Sequence, residues 1–373
     1  MDTVRLLDVC DVYQPKTIST KSFVADGKYN VYGANGIIGK YNEYNHENPE
    51  VLLGCRGACG AVHISKPFSW INGNAMVVHP NGKMPIDHKF LMYYLMSANK
   101  ESMVSGTAQP QITRRNMSDF TIPICDIHEQ KRIVSRIENL FSILDSGIDS
   151  LRRAQKQLDA YHQAVLKSAF ERIEGKTYTI SDVCKEIKVG IVIKPSQYYT
   201  TKDNGIRAFR SANVREFRID DFDWVYINHE GNEVNKRSIV HTGDVLIVRS
   251  GYPGTACVVD ERFDGCNAID IIIAVPNKEL ILSDYLCAYT NSPLGKAYVA
   301  EKKRGVGQKH FNVGGYSTMK IVVPTIDQQR AVISEIEDRL SVCDNIGLSV
   351  SKALQQAEIT RKSILKDAFE GRL

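Results

Sequence analysis

The feature that most restricts the fold of this chain is an internal repeat. Glu129-Gln130-Lys131-Arg132 is echoed by Gln328-Gln329-Arg330-Ala331, a shift of 199 residues from 129 to 328. The same shift holds without a gap to Ala169-Phe170-Glu171 and Ala368-Phe369-Glu370. Identical pairs on the way include Ser135/Ser334, Ile137/Ile336, Glu138/Glu337, Ser142/Ser341, Asp145/Asp344, Ala154/Ala353, Gln157/Gln356, Leu166/Leu365 and Lys167/Lys366. Chance does not keep register over such a length, so the chain carries two copies of one segment.

Both copies carry a helical pattern. In the first, apolar residues fall at Val134, Ile137, Phe141, Leu144, Ile148, Leu151, Leu158, Val165 and Ala169, largely in steps of three and four, the seam of a coiled coil. The second gives Ile333, Ile336, Leu340, Cys343, Val350, Leu354, Ala357, Ile364 and Ala368. Gln155 and His162 interrupt one seam, Gly347 and Arg361 the other; polar residues there fix register, and His162 is read that way rather than as a ligand or base. About forty helical residues span roughly 60 Å. A helix with one apolar stripe needs a partner, and the other copy, lying antiparallel, is the natural one.

The segments before each helix also echo one another. Asp8-Val9-Cys10 matches Asp182-Val183-Cys184, Val51 to Gly57 resembles Val245 to Gly251, Asn74-Ala75-Met76 matches Asn267-Ala268-Ile269, and Gly106-Thr107-Ala108-Gln109 matches Gly305-Val306-Gly307-Gln308. Short apolar runs bounded by Gly, Asn and Pro suggest strands, with one helix near Lys89–Asn99 and its counterpart near Ser283–Lys303. The expected fold is therefore α/β (α+β). Two similar mixed domains, residues 1–126 and 173–325, are separated by two long antiparallel coiled-coil helices, residues 127–172 and 326–373, in a pseudo-twofold repeat.

Composition agrees with two domains plus connectors: 373 residues, 43% hydrophobic and 24% charged. A net charge of +4 neither requires nor forbids a nucleic-acid partner. No run of 18 apolar residues appears and the N-terminus lacks a signal-peptide layout, so no membrane association is expected. Nine scattered cysteines read as reduced thiols of a cytosolic protein. Cys55, Cys59 and His63 are evenly spaced, but Gly54, Gly57 and Gly60 lie among them, and a Gly-rich strand-loop-strand is preferred to a metal site. Nucleotide-binding glycine turns, a Walker lysine loop, the methyltransferase Asn-Pro-Pro-aromatic tetrapeptide and hydrolase or zincin motifs are missing. Asp182 with Glu186 and Lys188 is too tightly spaced for a metal-dependent nuclease. No catalytic residue, metal ligand or resident cofactor is assigned.

Taken together, these parts resemble the specificity subunit of type I restriction-modification enzymes. The likeness is carried by Gly106 to Ile112, Ile122-Pro123-Ile124, His128 to Ile133 and Ala169-Phe170-Glu171, then by Gly305 to Gln308, Val322-Val323-Pro324, Asp327 to Arg330 and Ala368 to Leu373. The resemblance implies a non-catalytic subunit in a prokaryotic cytoplasm. Each variable domain would be a target-recognition domain reading one half of a split duplex DNA sequence. The helices would set the gap and dock two modification (methyltransferase) subunits using S-adenosylmethionine, and restriction (translocase/nuclease) subunits would bring ATP and magnesium chemistry. In the first copy Ala108-Gln109-Pro110 stands where the second has Gly307-Gln308-Lys309.

Base reading needs bidentate donors and phosphate contact needs positive charge. The first domain offers Arg56, Gln109, Gln111, Arg114 and Arg115. The second offers Arg207, Arg210 and Arg215, then Arg249, Ser250 and Tyr252, then Lys302, Lys303 and Arg304 before Gln308 and Lys309. Arg56/Arg249 and Gln109/Gln308 are read as paired copies, with a structural role for the glutamines an equal alternative. The rivals from other classes are a fused DNA-modifying or DNA-cutting enzyme, and a scaffold using the rod alone.

Overall fold

Alternation of buried and exposed residues separates edge strands from central ones and sets the frame of each half. The computed structural model describes residues 2–106, 109–303 and 311–373, except for the side chain of Lys303. Contacts divide the chain into one unit of Met1–Arg152 with Ser351–Leu373 and another of Arg153–Val350.

In the first unit the chain forms β1 (Asp2–Arg5), α1 (Leu6–Val9), β2 (Cys10–Tyr13), β3 (Tyr29–Gly33), β4 (Gly36–Tyr41), β5 (Val51–Gly54), β6 (Val62–Ile64), β7 (Trp70–Ile71) and β8 (Ala75–Pro80). Then follow α2 (His88–Ser97), β9 (Val104–Ser105), β10 (Gln111–Ile112), β11 (Thr121–Ile124) and α3 (Ile127–Glu171). Strands β2-β8-β5-β6 make one antiparallel sheet, β4-β3-β7 a second, and β1 pairs with β11 to close the domain's ends together. All four β5 residues are buried, as a strand covered on both faces requires, whereas edge strand β2 alternates buried and exposed. The Asp87 side chain accepts from the amides of Lys89 and Phe90 and so starts α2.

The second unit repeats this order with insertions. It has β12 (Lys176–Thr179), α4 (Ile180–Val183), β13 (Cys184–Val189), β14 (Tyr199–Thr200), β15 (Ile206–Phe209), β16 (Val214–Arg215), β17 (Arg218–Ile219), β18 (Val225–Ile227) and α5 (His229–Val234). After these come β19 (Val245–Val248), β20 (Ala256–Val258), β21 (Asn267–Ala268), β22 (Ile271–Pro276), α6 (Ser283–Asn291), α7 (Pro293–Lys303), α8 (Val313–Ser317), β23 (Lys320–Val323) and α9 (Ile326–Phe369). The sheet β13-β22-β19-β20 matches β2-β8-β5-β6 in order, and β12 pairs with β23 as β1 does with β11.

Register makes the correspondence residue by residue, and it corrects two expectations. Val51 faces Val78 as Val245 faces Ala274, and Cys10 faces Pro80 as Cys184 faces Pro276. Gly54 then faces Ala75 where Val248 faces Ile271, so Asn74 corresponds to Asp270 and not to Asn267. Counting on from Gly54 and Val248, Arg249 corresponds to Cys55 and Arg56 to Ser250; Arg56 and Arg249 are not copies. The amide of Ile112 donates to Cys55 O (3.0 Å) as that of Phe311 donates to Arg249 O (3.1 Å), which agrees. The helix expected over Ser283–Lys303 is two helices, because Ser292, just before Pro293, is extended (ψ 159°), the conformation proline imposes on its predecessor.

The long helices supply part of each core. In the first unit Phe90 and Tyr93 of α2, Ile133, Val134, Ile137 and Phe141 of α3, and Leu365 and Ala368 of α9 form one cluster. The Arg361 guanidinium lies 4.5 Å over the Phe141 ring and is ion-paired with Asp145, which accommodates the polar interruption of that seam. In the second unit Val165, Leu166 and Phe170 of α3 join Ile336 and Leu340 of α9 beneath Tyr285 and Leu286 of α6. Early α3 meets late α9 in one unit, and late α3 meets early α9 in the other, which is the antiparallel sense. His162 is half-buried, its ring 6.1 Å from that of Phe217.

Candidate nucleic-acid interface

One edge of the first unit gathers the sequence-selected residues. Arg56 follows β5 and bridges to Gln111 of β10 through backbone pairing. Its loop turns on Gly57 and Gly60, at φ 77° and 83°, a region that favours glycine. Lys100 sits below, its ammonium donating to Leu95 O (2.5 Å) and Ala98 O (3.0 Å), and burial lowers its pKa. A Cβ on Gly60 would stand 3.3 Å from Lys100 Cε. The β9–β10 hairpin brings Gln109 to the surface, and Thr113 caps the turn Arg114–Met117 by accepting from the Asn116 amide. Arg56, Gln109, Arg114 and Arg115 are exposed and Gln111 partly so. Among the described residues the three arginines have no ion-pair partner, so their charge is uncommitted.

The second unit differs. Arg207 lies 3.8 Å from Asp221 and 5.7 Å over the Trp224 and Phe263 rings. Arg210 donates to Asp223 O (2.6 Å) and Oδ2 (2.9 Å), and Arg215 pairs with Asp220 at 3.3 Å. Carboxylates that the sequence reading passed over thus neutralise this arginine cluster. Arg249, its side chain 14% exposed, donates from Nη1 to Asp270 Oδ1 (2.5 Å) and from Nε to Phe311 O (3.1 Å). It binds β19 to the segment returning to α8. Beyond it, Gly251 and Gly254 (φ 82° and 88°) turn a loop on which Tyr252 is 83% exposed. Ser250, Tyr252, Ser211, Ala212, Arg215 and Thr255 line a concavity of about 630 Å³. Lys302 is exposed, its ammonium 5.4 Å over the Tyr298 ring, and Lys303 ends α7. Arg304, Gln308 and Lys309 lie outside the described residues, as do Thr107 and Ala108.

The thiols near the first edge are hydrogen-bonded. Cys59 Sγ donates to Pro110 O (2.9 Å) and Cys55 O (3.3 Å); Cys55 Sγ accepts from Gln14 Nε2 (3.0 Å), and burial pushes the Cys55 thiol pKa up. Two further groups escaped sequence reasoning: Gln130 and Gln329, both fully buried. Their identity across the repeat was the available signal.

Each half therefore has one frame, a different exposed edge, and a share of both long helices. Residues 1–151 match the family described as Type I restriction modification DNA specificity domain. A putative type I restriction enzyme specificity subunit of Haemophilus influenzae is 25% identical over 358 residues, covering 90% of this chain and 86% of that one. The EcoBI specificity subunit of Escherichia coli is 23% identical over 303 residues, 75% of this chain and 64% of the relative.

Over most of its length the chain is similar to type I restriction enzyme specificity subunits, and residues 1–151 match that specificity-domain family. Solved chains share its fold. A chain from a structure addressing complex assembly and conformational transition of the type I R-M system superposes with a TM-score of 0.73 at 17% identity, over 100% of this chain and 98% of that one. The HsdS subunit from Thermoanaerobacter tengcongensis gives 0.52 at 16% identity, over 100% and 97%. Within this chain the helices and frame repeat, and the exposed edges differ between its two halves.

Proposed function

We propose that this chain is the DNA-reading, non-catalytic subunit of a type I restriction-modification complex, with one domain for each half of a split duplex target. The observation that carries this reading is the duplicated frame with two unlike edges. Arg56, Gln109, Gln111, Arg114 and Arg115 form the first reading edge. Ser250, Tyr252 and Arg215 around their concavity form the second; Lys302, Lys303, Arg304, Gln308 and Lys309 are assigned phosphate contacts from their charge and order in the sequence alone. Arg207, Arg210 and Arg249 hold the second edge in shape. Two copies that recognised the same word would have no reason to differ there.

The helices set the gap between half-sites and dock two modification subunits. Ile143 and Val342, separated by the same 199 residues, are 72% and 60% exposed, an apolar residue at the same place in each helix. S-adenosylmethionine belongs to those partners, and ATP and magnesium to restriction subunits. No described helix is long and apolar enough to cross a membrane, and the complex acts in the prokaryotic cytoplasm. Mapping methylated adenines on DNA treated with the reconstituted modification complex tests this. A motif of two words around an unspecified gap is expected; a continuous motif, or methylation by the lone chain, contradicts it.

A further inference from the structure

Outside the reading edges, the first unit assembles a group of side chains with the chemistry of a metal site. Glu50 precedes β5, His79 lies on β8 and His88 opens α2. One ligand atom from each falls within 4.8 Å of the others. Glu50 Oε2 and His79 Nδ1 are 2.8 Å apart, with Glu50 8% exposed and His79 44%. His88 Nε2 is buried and has no hydrogen-bond partner among the described residues. A buried carboxylate needs a compensating positive charge, and a buried ring nitrogen needs a partner. No lysine or arginine pairs with Glu50 among the described residues.

We propose that Glu50, His79 and His88 bind one divalent transition-metal ion, Zn²⁺ foremost. The donor set is two imidazoles and a carboxylate, which zinc accepts at about 2.0–2.2 Å. The ion satisfies His88 Nε2 and the Glu50 carboxylate together, and the exposed side of His79 leaves a fourth position to water. Ligands of a tetrahedral shell stand roughly 3.4 Å apart, so the Glu50–His79 contact opens slightly as the ion enters. His46 stays outside: its two ring nitrogens lie 2.9 Å from Tyr13 Oη and 2.7 Å from Asn45 Oδ1.

The repeat supplies an internal control. By strand register, and by the equivalent bonds of Gln130 and Gln329 at the two helix starts, the matching positions are Asp244, Val275 and Ser283. There Asp244 accepts from the His241 amide (2.8 Å) and Ser283 donates to Gly243 O (2.6 Å). The second copy satisfies these polar groups locally, and none of the three matching positions carries an imidazole. The ion therefore fastens the sheet to α2 in the first half only, and α2 carries Phe90 and Tyr93 against the long helices.

Titrating the purified full chain with Co²⁺ alone, followed by its visible d–d absorption, with bound Zn²⁺ measured after dialysis, tests the proposal. One ion per chain is expected. His88→Gln and His79→Asn should each weaken binding beyond the roughly tenfold to hundredfold loss of a supporting contact, while far-ultraviolet circular dichroism stays unchanged. His79→Asn, on the exposed side, serves if His88→Gln fails to fold. No uptake by the wild-type chain overturns the site, as does uptake that survives in the folded histidine variants, since the metal would then sit on other groups such as the cysteines.

Discussion

Gln130 and Gln329, 199 residues apart in sequence, make the same three hydrogen bonds. Gln130 accepts from the Asp87 amide (2.8 Å) and donates to Pro85 O and Cys125 O (both 2.9 Å). Gln329 accepts from the Leu282 amide (2.9 Å) and donates to Leu280 O (2.9 Å) and Pro324 O (3.0 Å). Each glutamine joins the first turn of a long helix to the start of the shorter helix in its domain.

Leucine at either position strands one amide and two carbonyls, each costing about 1–3 kcal/mol if unpaired. Gln130→Leu and Gln329→Leu are each expected to lower stability by about 3 kcal/mol in urea unfolding. An unchanged midpoint would mean that water replaces the side chain.

Arg249 and Asp270 form the best-enclosed ion pair of the second edge. Asp270→Ala leaves a mostly buried guanidinium without its carboxylate and is expected to cost about 2 kcal/mol. Asp270 also has φ 52°, and Asn tolerates that region. Asp270→Asn therefore separates charge from conformation, and should recover part of the loss. A double-mutant cycle with Arg249→Ala that gives no coupling would refute the pairing.

Arg56 and Tyr252 are exposed, so Arg56→Ala and Tyr252→Ala should leave the melting temperature unchanged. In the assembled complex, Arg56→Ala is expected to cost about 1–3 kcal/mol at one word of the target, and Tyr252→Ala to weaken reading of the other word only. Binding to duplexes with each word scrambled in turn checks this. Equal loss on every duplex, with a salt dependence shallower by about one charge, would assign Arg56 to phosphate instead.

Much of the frame was legible because it depends on patterns the sequence repeats. The seam residues of both helices, from Val134 to Ala368, are all buried or half-buried. The edges were less legible, for particular reasons. Arg249 resembled Arg56 by type and neighbourhood, but strand register puts it in the place of Cys55, turned inward to Asp270. Asn267-Ala268 resembled Asn74-Ala75, yet Asn267 and Ala268 form β21, parallel to β15 as β7 is to β3. Glu50, His79 and His88 come together only when β5, β8 and α2 pack; no local spacing announces them.

The central claim is that two readers share one spacer. Four residues inserted after Ala154 and four after its repeat partner Ala353 lengthen each helix by about 6 Å. Methylated-adenine mapping with the reconstituted variant is expected to return both words unaltered and a longer gap between them. The same gap as the parent chain would contradict the account.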